Sequence, residues 1–154
     1  MATRSTIALE FADGTVGQVY CHWDGYLDHN GKILLENYSD PFKLQELIDL
    51  GDVSSLGPNI GRKHAFSSFE GDKADYEAAQ AEGCTTFYGR DRGETGVGAR
   101  YFQDFDTYVK EHQFEEYEYI LRRDGNWYVS QYRSEGAFEL LAEAIAQEQA
   151  ENVA

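Results

Sequence analysis

With 154 residues, 42% of them hydrophobic and 14% aromatic, the chain is long enough to bury a core and too apolar for intrinsic disorder. Its net charge of -15, from 28 acids against 13 bases, excludes direct nucleic-acid binding, which needs a basic footprint to displace counterions from phosphates. The same charge disfavours an anionic membrane surface and favours a basic protein partner or plain solubility. Two cysteines, Cys21 and Cys84, are too few for a disulfide scaffold. The start, Met1 to Thr6, lacks the apolar core of a signal peptide, and no run reaches transmembrane length. The expectation is a single domain over residues 1–154, cytoplasmic, with reduced thiols.

Taken in chain order, residues Thr6 to Trp23 read as a β-hairpin around Asp13-Gly14. A two-residue turn there puts Ile7, Leu9 and Phe11 on one face with Val16, Tyr20 and His22. Ala8, Val19, Cys21 and Trp23 then take the other face. After Gly31 the pattern turns helical, starting with Ile33, Leu34 and Leu35. Asp40-Pro41 reads as an N-cap and first helical residue, Leu44, Leu47 and Ile48 as a buried stripe, and Gly51 as the C-terminal stop. Residues 51–71 read as a loop. A helix is predicted from Lys73 to Ala81, a strand from Cys84 to Tyr88, an irregular glycine-rich stretch from Gly89 to Gly98, and a short helix from Phe105 to His112.

A second hairpin spans Tyr117 to Arg133 around Asp124-Gly125. Its two-residue turn predicts Tyr117, Tyr119, Leu121, Tyr128 and Tyr132 on the core face. Glu116, Glu118, Ile120, Arg122, Trp127, Val129 and Arg133 take the other, with Arg122 stacked on Trp127. The last helix starts near Ser134 with Phe138, Leu141 and Ile145 on one face, and 148–154 fray. Two hairpins interleaved with short helices predict an α+β fold on a mostly antiparallel sheet.

The densest chemistry lies in Tyr20-Cys21-His22-Trp23-Asp24-Gly25-Tyr26 and the following His29-Asn30-Gly31. Cys21, His22, Asp24 and His29 are competent metal ligands, but neighbouring strand residues point to opposite faces and the spacing matches no zinc pattern. No metal or cofactor is therefore predicted. Cys21 as a nucleophile needs His29 or His64 to reach it in space, because His22 diverges from its neighbour. No catalytic constellation is complete, so the chain reads as a binder rather than an enzyme. Arg90, Arg92 and Arg100 in the glycine-rich stretch, joined by His22, Asp24 and His29, form a candidate site for a small anionic ligand such as a signalling nucleotide. The stretch lacks the Gly-Lys-Ser/Thr ending of a P-loop. Asp104, Asp106, Glu115, Glu116 and Glu118 form a candidate acidic interface imitating DNA phosphates, and Trp23 and Tyr26 are candidate interface anchors.

The opening Met1-Ala2-Thr3-Arg4-Ser5-Thr6-Ile7-Ala8, the Tyr20–Tyr26 and His29–Gly31 segments, Gly51-Asp52-Val53-Ser54-Ser55-Leu56-Gly57 and Tyr88-Gly89-Arg90-Asp91-Arg92-Gly93-Glu94 share one pattern. Together they resemble a family of small proteins of tailed bacteriophages, prophages and other mobile elements. The resemblance implies an accessory role in a bacterial host cytoplasm, directed at a host or defence macromolecule. It carries over no catalytic residues.

Overall fold

The computed structural model describes residues 2–112, 115–131 and 137–153. The fold is α+β, with a mixed, mostly antiparallel sheet of eight strands among the described residues. Its strands are β1 (Ser5–Glu10), β2 (Val16–Cys21), β3 (Val53–Ser55), β4 (Thr86–Phe87), β5 (Arg100–Phe102), β6 (Tyr117–Leu121), β7 (Trp127–Gln131) and β8 (Glu139–Leu140). They run in the order β4-β3-β2-β1-β6-β7-β8, with β5 also paired to β2. β1 pairs antiparallel with β2 and parallel with β6, so every residue of β1 is buried. The far edge of β2 is shared: β5 pairs with Val16, Gly17 and Gln18, and β3 with Cys21.

Both hairpins form where predicted, but both turns have three residues, not two. Phe11 N–H donates to Thr15 O and Gly14 N–H to Phe11 O. Arg122 N–H donates to Asn126 O and Gly125 N–H to Arg122 O. Gly14 (φ +92°) and Gly125 (φ +84°) supply the left-handed residue that closes such a loop. In each, the Asp carboxylate accepts the N–H two residues on, from Thr15 at 3.0 Å and Asn126 at 2.9 Å. One extra loop residue reverses the parity of the returning strand.

The face assignments of β2 and β7 are therefore corrected. Val19 and Cys21 lie opposite Ile7 and Ser5, while Val129 and Trp127 lie opposite Tyr119 and Leu121. These residues join the main core under the helices. Tyr20 and Tyr128 move to the other face. Arg122 stacks over Phe105, 3.6 Å from its ring centre, instead of over Trp127.

The helices are α1 (Lys32–Asn37), α2 (Pro41–Leu50), α3 (Lys73–Ala81), α4 (Tyr88–Arg92), α5 (Phe105–Glu111) and α6 (Leu141–Val153). α2 starts and stops as its sequence predicts. Asp40 accepts the Phe42 N–H at 2.9 Å, Pro41 occupies the first turn, and Leu44, Leu47 and Ile48 are buried. α4 replaces the first half of the stretch expected to be irregular, closed by left-handed Gly93. β3 interrupts the predicted 51–71 loop. α6 starts at Leu141, and it is helical through the 148–153 segment expected to fray. The expected Ser134 start, with Tyr132, Arg133 and Glu135, lies outside the described residues. A smaller cluster of Ala8, Val16, Tyr108 and Ile120 holds α5 on the second face. No helix among the described residues is long and apolar enough to cross a membrane.

The setting of α2 has a direct test. Leu47 is fully buried whereas Phe42, on the same helix, is 81% exposed. Leu47→Ala is expected to destabilise by about 2–5 kcal/mol and Phe42→Ala by less than about 0.5 kcal/mol in denaturant titrations.

Candidate functional site

At the end of β2 the chain leaves the sheet through a turn that is tied down on every side. His22 N–H donates to Val53 O and Trp23 N–H to Ser54 O, extending the β2–β3 pairing. Asp24 then adopts a left-handed conformation (φ +57°), unique among non-glycine residues described; Asp tolerates it better than most residues. Gly25 donates its N–H to Thr3 O at 2.8 Å, and its carbonyl accepts the buried Tyr119 hydroxyl at 2.6 Å. A Cβ on Gly25 would stand 2.7 Å from Ser5 Cβ and 2.9 Å from Thr3 O, so only glycine fits.

Asn30 completes the brace. It is fully buried in a π-helical turn (Leu27–Gly31) that runs into α1. Its amide nitrogen reaches Ser5 Oγ, Cys21 Sγ and Trp23 O, each at 3.3 Å. Its Oδ1 accepts from the Nδ1–H of His29 at 2.9 Å. Cys21 is thus a packed anchor. Burial pushes its thiol up to about 11, so it stays protonated at neutral pH. His64, the other imidazole considered for Cys21, sits elsewhere, with its ring nitrogens on Ala65 O and Thr85 O. Among the described residues, no three His, Cys, Asp or Glu side chains converge as metal ligands.

What this brace displays is aromatic. Trp23 is 44% exposed and Tyr26 39%. His22 links Trp23 to the sheet: its Nδ1 pairs with the Tyr20 hydroxyl at 2.7 Å, and its ring meets Trp23 edge-on at 4.7 Å, while Tyr26 lies beside the His29 ring at 6.1 Å. Burial, helped by the charge of Arg4, holds His22 below the ordinary histidine range and keeps it neutral at pH 7. Asp28 pairs with Lys32 at 2.7 Å on the outer side of the turn.

Beside Tyr20 the second face of the sheet opens into a cleft of about 350 Å³. Thr6, Gln18 and Tyr20, neighbours on β1 and β2, form its floor. Asp52 and Arg100 border it on the β3/β5 side, Arg4 and Glu115 on the β6 side. Asp52 Oδ1 accepts the Tyr20 N–H at 2.9 Å and meets Arg100 at 3.4 Å.

The residues singled out from the sequence are dispersed. Of the arginine group only Arg100 borders the cleft. Arg90 is engaged internally, with its guanidinium on Asp91, Ile60 O, Gly61 O and Thr85 O and stacked on Phe87. Arg92 pairs with Glu70 and Glu94 over Phe66. The acidic group also divides. Asp104 caps α5 by accepting the Thr107 N–H at 2.8 Å; Asp106 and Glu116 are exposed, and Glu115 is half-buried.

Glu118, expected on the surface, is buried against the Nε2 of His112. The His112 Nδ1–H faces Tyr108 O, so the shared proton lies between Nε2 and the carboxyl. Burial pushes Glu118 up to about 8 and His112 down, which favours the neutral pair. Arg4 and the Gln18 amide were missed by sequence reading because strand pairing alone brings them together.

Comparison with protein families, curated proteins and solved structures finds no match.

The Glu118–His112 pair sets a pH dependence. Raising the Glu118 pKa costs stability as pH climbs from 4.5 toward about 8; lowering that of His112 adds stability as pH climbs through 6.5. The two slopes oppose one another below 6.5, leaving a net loss between 6.5 and 8. Its limiting slope is about 1.4 kcal/mol per pH unit. Urea titrations across this window are expected to show that loss, and Glu118→Gln to flatten it.

Proposed function

We propose that this chain acts by binding, without chemistry of its own, as an accessory protein of a phage or mobile element. Its target on this reading is a basic host or defence macromolecule in the bacterial cytoplasm. The observation that carries the reading is the braced turn. A strained Asp24, a glycine with no room for a Cβ and a buried Asn30 hold two large aromatic side chains in solvent. Trp and Tyr held rigidly at a surface supply contact area at low entropic cost. The net charge of -15 supports a basic target through steering of the encounter, and the family resemblance supports the setting.

The acidic DNA-mimic version rests on fewer groups than the sequence suggests, since Glu118 is internal and Asp104 is occupied as a cap. Steering therefore falls to exposed acids such as Asp106 and Glu116, and specificity to Trp23 and Tyr26.

Capture from host lysate, read by mass spectrometry at low and high salt, separates these contributions. A Trp23→Ala/Tyr26→Ala double variant is expected to lose the specific partner, with affinity down at least about thirtyfold. An Asp106→Lys/Glu116→Lys variant is expected to weaken capture chiefly at low salt. Equal capture by the aromatic variant and the parent would overturn the proposal.

A further inference from the structure

Among the described residues, three arginines are each held between an aromatic ring and a carboxylate. Arg90 lies over Phe87, Arg92 over Phe66 and Arg122 over Phe105, at 4.7, 4.7 and 3.6 Å from the ring centres. Their acids are Asp91 at 3.0 Å, Glu70 at 3.4 Å and Glu10 at 3.1 Å. A planar guanidinium serves both partners at once, with its face on the ring and its N–H fork on the acid.

The braced turn presents rings and an acid without the cation. Trp23 and Tyr26 are exposed, and among the described residues no cation lies over either ring. Asp24 stands between them in the chain. Its carbonyl accepts the Asn30 N–H at 3.2 Å, but its carboxylate makes no hydrogen bond or ion pair among the described residues. The next acid, Asp28, is already paired with Lys32.

Backbone geometry does not call for an acid at this position. At φ +57° glycine is the cheaper residue, and glycine fills the other positive-φ positions described. A carboxylate held at a strained position and unused within the fold is free for a partner.

We propose, on the reading of this turn as the partner-binding surface, that Asp24 and Trp23 receive an arginine side chain of the basic partner. The guanidinium stacks on Trp23, the more exposed ring and the stronger π face, and forks onto the Asp24 carboxylate. Lysine, a point charge without a flat face, fits this pair less well.

The test is an NMR titration of the full chain at constant ionic strength, read at the Trp23 indole N–H. The probes are two capped tripeptides, acetyl-Gly-Arg-Gly-amide and its lysine counterpart. The arginine peptide is expected to shift the signal saturably, and the lysine peptide to bind at least about fivefold more weakly. Asp24→Asn keeps a residue that tolerates the left-handed backbone, and is expected to weaken arginine binding at least about tenfold with an unchanged thermal midpoint. Asp24→Gly relieves the strained backbone and is expected to show the same loss. Asp106→Asn, which removes an exposed acid on α5, is expected to leave binding within about twofold. The proposal is overturned by no saturable shift with the arginine peptide, by equal affinity for the lysine peptide, by undiminished binding in Asp24→Asn, or by an equal loss in Asp106→Asn. Lysate capture separates this failure from failure of the underlying reading. If Asp24→Asn still captures the partner that Trp23→Ala/Tyr26→Ala loses, the aromatic surface stands and the arginine assignment falls.

Discussion

The side-chain amide of Asn30 is the interaction on which the exposed end of the molecule depends. From one buried position it reaches Ser5 on β1, Cys21 on β2 and the carbonyl of Trp23 beyond the sheet. Ser5 and Cys21 face each other at the end of the β1–β2 ladder, and the amide joins that pair to the Trp23 carbonyl beyond it. Without the amide, the buried Ser5 hydroxyl and Trp23 carbonyl would need other partners in a site that excludes water. The chain would also be free to leave the sheet at another angle. With it, the π-helical turn enters α1 in one orientation, and Trp23 and Tyr26 are held outward.

A second constraint, the parity of two hairpin loops, decides what each face of the sheet contains. The four hairpin strands were legible, as were α2 with its Asp40 cap and α3 over Lys73–Ala81, because period and capping residues lie within each segment; the short β3, β5 and β8 carry no such period and were not. The loop length was not. Asp-Gly serves a two-residue turn and a three-residue turn closed by left-handed glycine equally well. The local sign of the longer form is the donor after the glycine, Thr15 or Asn126, whose N–H the Asp carboxylate accepts. One residue of difference moves Cys21 into the core and leaves Tyr20 beside the cleft.

The candidate site was legible in its location and not in its composition. A segment crowded with Cys, His, Trp and Asp side chains did mark the braced turn, although its Cys and Asn act as supports rather than as reacting groups. Charged residues misled more. Arg90 and Glu118 look like surface groups in sequence, yet each is absorbed by partners that the fold brings up: Ile60 O and Gly61 O for one, His112 for the other. Conversely, Arg4 belongs to no motif, and its place at the cleft rim follows from β1 lying between β2 and β6. Sequence spacing carries no information about such pairings.

The most direct test of the account is amide hydrogen exchange at Trp23, Gly25 and Asn30 in the parent and in Asn30→Leu, with the β6–β7 hairpin as internal reference. Loss of the Asn30 hydrogen bonds is expected to open the turn locally and speed exchange there on the order of a hundredfold, while Tyr119 and Val129 remain protected. Unchanged protection at Gly25 would mean that the turn is held by something other than Asn30, and the account of a braced aromatic display would fail.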